Sequence, residues 1–403
     1  MHFGWRLTLL LGSAVSIRAS GCGSAPSVAT SSETEVTLND SDRTYLYWLP
    51  PGYDGSTPTP LIFSFHGAGG SAAQQAKLDL LTTSDFNTDH ILVYLESSET
   101  DSEMLWEVSP GVTSDDVGYT LEVLDNIQDE FCIDDSRIYA TGMSQGGGMV
   151  NLLACNETSS NRFAAYAPVS GAYYYAEDDN GQCDEDNVTF SCSPGRDGIP
   201  ILAFQGGADD VVSYDGGKRR GGCLPNVGHW ISQWAVREGL NSDPTENQEI
   251  TSSATKYIYG DGDEKGLVSF VYDGKNVGHV WPATVDEDGD TPGTASFNAS
   301  SLIMDFFKEQ QLPYVLSRLP IPLSPIANPV LGINTRPGIQ PLPAHQQVLH
   351  RQLVHLLVLT RQTQKAVVLH LGPSVLPSFQ VSSCFMPFSS RTSLMNISSG
   401  ASI

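Results

Sequence analysis

Short apolar runs of four to six residues recur over the first three quarters of the chain, and patterns with helical spacing separate several of them. In one such pattern Val117, Leu121, Leu124, Ile127 and Phe131 recur every three or four residues, as on one face of a helix. Strands that alternate with helices predict a mostly parallel sheet covered on both faces, an α/β architecture. The strand-like runs are residues 45–49, 61–65, 91–95, 137–141, 164–169, 199–204, 256–259 and 267–272.

The last predicted helix begins near Asn298 and ends around Gln310, and the character of the chain changes after it. Residues 312–403 contain no Asp or Glu, although the whole chain has 46 of them, and a Pro-rich run at 319–343 is typical of a linker. We predict a domain over residues 21–311 and a poorly structured extension over residues 312–403. The extension is either sequence translated past the true end of the domain or a basic lipid-binding tail.

The amino terminus has the pattern of a secretory leader. Arg6 precedes an apolar run at 7–17 that is too short to span a bilayer, and the small residues Ala19 and Ser20 follow it. We therefore predict a signal peptide over residues 1–20 and a secreted, extracellular protein. The Asn-x-Ser/Thr sequons of a glycoprotein stand at Asn39, Asn156, Asn187 and Asn298.

The segment Gly142-Met143-Ser144-Gln145-Gly146 carries the most specific chemistry in the chain. It follows the strand-like run 137–141 and leads into small and apolar residues without Pro, as at a strand-to-helix turn. In a G-x-S-x-G elbow the serine oxygen is exposed, and the glycines let strand and helix approach closely. The motif predicts a catalytic Ser144 and an oxyanion donor in the Gln145 N–H. A Gly-rich structural turn is the alternative.

Two histidines qualify as the base that such a serine needs, because in this kind of fold the order is Ser, then Asp or Glu, then His. The other histidines precede the serine or lie in the predicted extension. His229 lies in an apolar helical pattern beside Trp230 and is better explained as a packed structural residue. His279 lies in a loop directly after the last predicted strand. We predict His279 as the base.

The acid should lie at the same edge of the sheet as the elbow. Asp209 and Asp210 follow the strand-like run 199–204, which places both carboxylates at the carboxyl ends of the strands. We predict Asp209 as the acid, with Asp210 as the competitor. An Asx turn or a helix cap is the alternative role for either residue.

The loop after an early strand should supply the second oxyanion donor. His66-Gly67-Ala68-Gly69-Gly70 follows the run 61–65, and its glycines let backbone amides approach a substrate. We predict the Ala68 N–H as the donor. His66 is expected to order this loop by hydrogen bonding, not to act as a base.

Six of the seven cysteines lie in the predicted domain, and an even number in a secreted chain predicts three disulfides. The spacings contain no paired C-x-x-C set for zinc, the rival explanation. Cys132 precedes the strand that leads into the elbow, and Cys155 ends the helix that follows the elbow. Because that helix should run antiparallel to the strand and return Cys155 to the same edge of the sheet, we predict Cys132–Cys155. We predict Cys183–Cys192 as a local disulfide between cysteines that are close in sequence. The two cysteines that remain give Cys22–Cys223.

The formal net charge of −25 bears on possible partners. Such acidity repels phosphate backbones and anionic lipids, so nucleic acid and membrane surfaces are disfavoured. A hydrophobic content of 40% is enough for a substantial core, and we expect a monomer.

Taken together, the elbow, the 66–70 loop, the Asp209 loop and the segment Gly278-His279-Val280-Trp281-Pro282 resemble the secreted fungal feruloyl esterases of type C, which are related to polyhydroxybutyrate-depolymerase-like esterases. Residues 21–23 and 222–225 also fit that group, and the resemblance spans about residues 21–310. It implies an α/β-hydrolase-like fold. Gln205 departs from the group, in which His is common, and this difference is expected to alter loop packing more than chemistry.

The resemblance implies a serine esterase that hydrolyses feruloyl esters on arabinose side chains of xylan and pectin, through an acyl-enzyme and without a metal or organic cofactor. Ser144, Asp209 and His279 would form the triad, and the amides of Gln145 and Ala68 would hold the oxyanion. Trp281 would contact the phenolic ring or pack in the core. Acetylxylan esterase and polyester depolymerase share this machinery, and a catalytically silent carbohydrate-binding protein is the alternative from another class.

Overall fold

The computed structural model describes residues 21–23, 29–38, 43–178, 180–274, 276–285 and 295–313. The predicted leader and almost all of the predicted extension lie outside the described residues. The elements are β1 (Glu33–Thr37), β2 (Thr44–Trp48), β3 (Thr59–Phe65), α1 (Ala72–Asp79), β4 (Ile91–Leu95), β5 (Ser98–Thr100), β6 (Glu103–Leu105), α2 (Asp116–Glu130), β7 (Ile133–Met143), α3 (Gln145–Cys155), β8 (Ala165–Val169), β9 (Ile201–Gly206), β10 (Gly217–Arg219), β11 (Gly222–Leu224), α4 (Val227–Arg237), β12 (Glu246–Glu249), β13 (Ala254–Ile258), β14 (Val268–Asp273) and α5 (Ala299–Lys308).

The described strands form one mixed sheet of ten strands and two short hairpins. The sheet order is β1-β2-β4-β3-β7-β8-β9-β14-β13-β12. The pairs from β4 to β14 are parallel, and antiparallel strands complete both ends. The predicted α/β class is confirmed, and every strand-like run of the sequence corresponds to a strand of this sheet.

Two hydrophobic cores lie on opposite faces of the sheet, because successive residues of a strand point to opposite sides. In β3, Phe63 and Phe65 join the core that includes residues of α2, α3 and α4. Ile62, which precedes Phe63, joins the core that includes residues of α1 and α5. Helices therefore cover both faces, as the sequence predicts.

Local signals explain the helices that the sequence predicts and the one that it misses. The Asp115 side chain caps α2 by accepting the Gly118 N–H at 2.7 Å, and apolar positions follow at helical spacing. The sequence Ala72–Asp79 of α1 has only a weak apolar stripe, although Ser71 caps it. Within the described residues no helix is long and apolar enough to cross a membrane.

The three predicted disulfide pairings are wrong. Cys22 bonds Cys132 because the segment at Gly21 lies along the end of α2, where the Gly21 N–H donates to the Gln128 carbonyl at 3.2 Å. The Cys155 end of α3 instead meets a loop, whose Ser193 N–H donates to the Cys155 carbonyl at 3.1 Å. The observed pairs are Cys22–Cys132, Cys155–Cys192 and Cys183–Cys223, in place of Cys132–Cys155, Cys183–Cys192 and Cys22–Cys223.

Candidate active site

The turn between β7 and α3 has the geometry of a nucleophile elbow. Ser144 stands between the two elements with φ 58° and ψ −121°, a strained conformation for a non-glycine residue. A side chain at Gly142 would approach the Phe65 carbonyl oxygen to 2.8 Å, and one at Gly146 would overlap it. The two glycines therefore allow the elbow to pack against the end of β3.

Asp209 and His279 are in direct contact. The His279 Nδ1 lies 2.8 Å from Asp209 Oδ2, and the Asp209 side chain is fully buried. The carboxylate thus holds Nδ1 as the donor and leaves Nε2 free to accept a proton. Asp210, the alternative acid, is exposed and has no such contact among the described residues.

The fold brings these loops together because β7, β8, β9 and β14 are parallel neighbours, and their carboxyl ends meet at one edge of the sheet. The acid loop follows β9 and the histidine loop follows β14. The Ala208 N–H donates to the Val277 carbonyl at 3.0 Å, which joins the two loops directly. Gly206 permits this approach, since any side chain there would overlap Val277.

The Ser144 hydroxyl makes no hydrogen bond to His279 or to another group in the part of the chain that the structure describes. The structure thus pairs Asp209 with His279 and places the elbow at the same edge, whereas proton transfer from Ser144 to His279 stays a prediction. Catalytic hydrogen bonds are often long without substrate and tighten when it binds.

The predicted oxyanion loop approaches the serine. A side chain at Gly67 would lie 3.2 Å from Ser144 Cβ, so this backbone packs against the elbow. The Gly69 and Gly70 N–H groups donate to the Met104 and Gly67 carbonyls, at 2.8 and 3.0 Å. The Ala68 N–H has no backbone acceptor among the described residues, which leaves it available for an oxyanion.

His66 orders the oxyanion loop, as expected. Its Nδ1 donates to the Gly67 carbonyl at 2.7 Å, and its Nε2 accepts the Ser97 N–H at 3.1 Å. Burial lowers the pKa of His66 to about 4. Because Nε2 accepts a hydrogen bond, the ring is neutral, and its 3.6 Å approach to Glu96 is not an ion pair.

Gln145 connects the elbow to a part of the site that the sequence does not indicate. Its Oε1 accepts the Trp106 N–H at 3.3 Å, and its Nε2 donates to Ser109 Oγ at 3.1 Å. The Trp106 indole N–H donates in turn to the His66 carbonyl at 2.8 Å. The buried Trp106 therefore contacts both segments that are predicted to hold the oxyanion. No sequence motif marks it.

Comparison with known proteins agrees with this geometry. No protein-family profile matches the chain. Feruloyl esterase B of Piromyces equi is 30% identical over 213 residues, 51% of this chain and 37% of the relative. Feruloyl esterase D of Neurospora crassa is 28% identical over 242 residues, 55% of this chain and 76% of the relative. The chain is a distant homologue of the fungal feruloyl esterases.

The resemblance inferred from the motifs is thus confirmed, although this feruloyl esterase homologue spans little more than a third of the Piromyces equi protein. Among solved structures, the acetyl xylan esterase from Aspergillus awamori matches with a TM-score of 0.50 at 18% identity, over 69% of this chain and 99% of that chain. A likeness at this identity supports the α/β-hydrolase-like fold alone.

The structure adds a contact to the expectation for Gln205. The Gln205 Nε2 donates to Asp209 Oδ2 at 3.1 Å and to the Val212 carbonyl at 2.8 Å. The residue therefore contacts the predicted acid itself, in addition to packing the loop.

Trp281 and His229 lie away from the predicted chemistry. Trp281 is 3% exposed, packs in the core beside α5 and donates its indole N–H to Ser300 Oγ at 2.9 Å. Of its two predicted roles, core packing fits this placement, and contact with a substrate ring stays a prediction. His229 lies in α4, where its Nε2 pairs with the Val188 carbonyl at 3.1 Å, as expected of a structural histidine.

Proposed function

We propose that this homologue is a secreted serine esterase that hydrolyses feruloyl esters on plant cell-wall polysaccharides and releases ferulate. The observation that carries the proposal is the contact between the buried Asp209 and His279 at the sheet edge where the elbow presents Ser144. The distant homology to feruloyl esterases supports the choice of substrate. Three disulfides support export to an oxidising compartment.

In the proposed acylation step, His279 Nε2 takes the hydroxyl proton while Ser144 Oγ attacks the ester carbonyl carbon. The carbonyl oxygen becomes an oxyanion and is held by the N–H groups of Gln145 and Ala68. When the tetrahedral intermediate collapses, the bond to the sugar oxygen breaks and His279 protonates that oxygen. The products are the free sugar hydroxyl and a feruloyl ester on Ser144.

Deacylation repeats the sequence with water. His279 takes a proton from water, the hydroxide oxygen attacks the acyl carbon, and the Ser144 oxygen leaves with the proton from His279. Asp209 stabilises the imidazolium in both steps without taking the proton. These residues supply every proton transfer of the proposed cycle.

Labelling with a fluorophosphonate probe tests the nucleophile and the acid. We expect the wild type to be labelled and Ser144→Ala to be unlabelled, with a loss of hydrolysis of ~10⁴-fold or more because the covalent route disappears. Asp209→Asn should slow labelling strongly. Asp210→Asn is the matched control, since this exposed neighbour has no contact with His279, and should label at the wild-type rate.

An unlabelled wild type that is folded by circular dichroism would instead support a catalytically silent carbohydrate-binding protein. Equal effects of the two aspartate variants would contradict the assignment of the acid.

Substrate choice is tested separately, by comparing the turnover of methyl ferulate, acetylated xylan and a polyhydroxybutyrate film. We expect methyl ferulate to be hydrolysed with the highest kcat/KM. Rapid deacetylation of xylan with no release of ferulate would replace the proposal by an acetylxylan esterase. Release from the film alone would indicate a polyester depolymerase.

A further inference from the structure

Two short hairpins flank the elbow. The β5–β6 hairpin lies against the oxyanion loop, because the Met104 carbonyl accepts the Gly69 N–H at 2.8 Å. The β10–β11 hairpin lies against the chain after β8, since Tyr175 and Cys223 exchange two backbone hydrogen bonds of 2.9 Å each. The chain after β8 is itself tied to the nucleophile, because the Ala172 N–H donates to the Ser144 carbonyl at 2.8 Å.

A small apolar cluster joins the second hairpin to the acid loop. Ala172, Val212 and Leu224 are buried together, and Tyr174 packs against them. The Val212 N–H donates to Asp209 Oδ1 at 2.8 Å. Tyr174 therefore lies beside both the elbow and the acid loop, so that it belongs to the wall of the candidate active site.

Two consecutive arginines at the tip of the β10–β11 hairpin have different partners. Arg220 forms a two-pronged ion pair with Glu103, at 3.0 and 2.7 Å. Glu103 in turn lies over the oxyanion loop, where a side chain at Gly69 would be 3.7 Å from its carboxylate. The charge of Arg220 is thus neutralised on the oxyanion side of the site.

Arg219 lies beside Tyr174. It pairs with Gly222 across the hairpin, and a side chain at Gly222 would lie 3.1 Å from the Tyr174 ring. Burial raises the pKa of Tyr174, against the positive charges of Arg219 and Arg220.

Arg219 is half-buried and has no carboxylate partner in the described part of the chain. Both of its neighbours have one, since Lys218 pairs with Glu177 at 3.0 Å and Arg220 pairs with Glu103. This is unusual in a chain with a net charge of −25, in which carboxylates are abundant. A guanidinium presents planar, paired donors that fit a carboxylate best.

We propose that Arg219, on the hairpin that packs against Tyr174, binds a carboxylate of the substrate, that of a uronate sugar in an acidic cell-wall polysaccharide. The inference rests on the proposed function, because it places the uronate on the polysaccharide whose ester reaches Ser144. Arg219 then directs the enzyme to esters on acidic chains, while the neutralised Arg220 holds the hairpin in place.

Binding is measured by calorimetry in the Ser144→Ala background of the full chain, so that no turnover interferes. The probes are a galacturonate trisaccharide and a neutral xylose trisaccharide. We expect the acidic probe to bind and Arg219→Gln to weaken it by ~10-fold or more, as for the loss of a charge-assisted hydrogen bond. Lys218→Gln is the matched control on the same strand and should bind as the parent does.

Lys218→Gln with Ser144 intact should also keep its kcat/KM for methyl ferulate within about twofold, because this exposed residue pairs with Glu177 and lies outside the candidate site. The proposal is overturned if the acidic probe does not bind the parent, if Arg219→Gln does not weaken it, or if Lys218→Gln weakens it equally. It is also overturned if the neutral probe loses as much affinity as the acidic one. Failure of the proposed function would show separately, as absent ferulate release by the intact protein.

Discussion

The candidate site depends on how one buried carboxylate is held. Asp209 accepts the Val211 and Val212 N–H groups at 2.9 and 2.8 Å on one oxygen. Its other oxygen faces His279 Nδ1 and the Gln205 amide. Hydrogen bonds from several fixed donors prevent the carboxylate from turning. The imidazole is therefore oriented by a group that is itself immobile.

Gln205→Leu removes a hydrogen bond to the Asp209 carboxylate that contributes about 1–1.5 kcal/mol. We expect kcat to fall by ~10-fold because the carboxylate is held less firmly, and KM to change little because no contact with the substrate is lost. Gln205→His should recover part of the activity, because an imidazole N–H can donate to Asp209. Steady-state kinetics on methyl ferulate measure both.

The exposed Gln248→Leu substitution in β12 is the control for the Gln205 variants. A rise in KM with unchanged kcat in Gln205→Leu, or a Gln205→His enzyme as slow as Gln205→Leu, would contradict a positioning role.

Sequence spacing could predict where Ser144, Asp209 and His279 stand, because the order of strands and loops decides which loops share the sheet edge. It could not predict the direction of single side chains. Trp281 is two residues from His279, yet its ring points into the core and bonds Ser300. Gln205 ends a buried strand, and only the fold of the following loop turns its amide towards Asp209.

Elements near the site are joined by a buried polar cluster around Asp79, the last residue of α1. Its carboxylate accepts hydrogen bonds from Ser64 of β3 at 2.7 Å and from Tyr94 of β4 at 3.0 Å. Gln75 of α1 adds a longer contact of 3.4 Å, and its Oε1 is buried without a partner among the described residues. A proton on Asp79 therefore gains an acceptor once the Gln75 amide turns.

Burial raises the pKa of Asp79 to about 7 from 3.8, against the hydrogen bonds that lower it. The folded protein thus binds a proton that the unfolded chain releases at intermediate pH. Because protonation favours the fold, the contribution of Asp79 to stability is complete below about pH 4 and is lost as the pH rises through about 7.

Asp79→Asn should remove this dependence, because an amide stays neutral and can donate to Gln75. We expect the free energy of unfolding of the variant, relative to the wild type, to increase as the pH rises between about 4 and 7. Urea unfolding at several pH values measures the difference. The exposed Asp85→Asn is the control, and a difference that is flat with pH in Asp79→Asn would contradict the raised pKa.

Disulfide pairing shows where element-level prediction stops. Helix α3 packs against β7, as the elbow predicts, but its eleven residues rise far less than the eleven residues of β7 and leave Cys155 short of the start of the strand. The partner of each cysteine nevertheless depends on irregular segments at Gly21 and Ser193, which carry no periodic pattern. Helix α1 and the exposed edge strand β12 were not predicted either, because their sequences carry no clear apolar pattern.

At the scale of the whole molecule, the described part of the chain up to residue 313 contains both cores, the three disulfides and every residue of the proposed triad. The sequence places the end of the domain at residue 311 from the loss of acidic residues alone. The structure adds contacts just past that point, since the Leu312 N–H donates to the Ser136 carbonyl at 2.8 Å. Leu312 also packs against the core beside α5.

Two truncations therefore test where the domain ends. A chain ending after Pro313 should be secreted and keep kcat/KM for methyl ferulate within about twofold, because no proposed catalytic group lies beyond it. A chain ending after Gln311 should be equally active but melt ~2 °C lower, as expected when about 1 kcal/mol of hydrogen bonding and apolar packing is removed from a domain of this size. Thermal unfolding and kinetics on both chains decide the matter, since lost activity in the longer one would mean that residues 314–403 belong to the working enzyme.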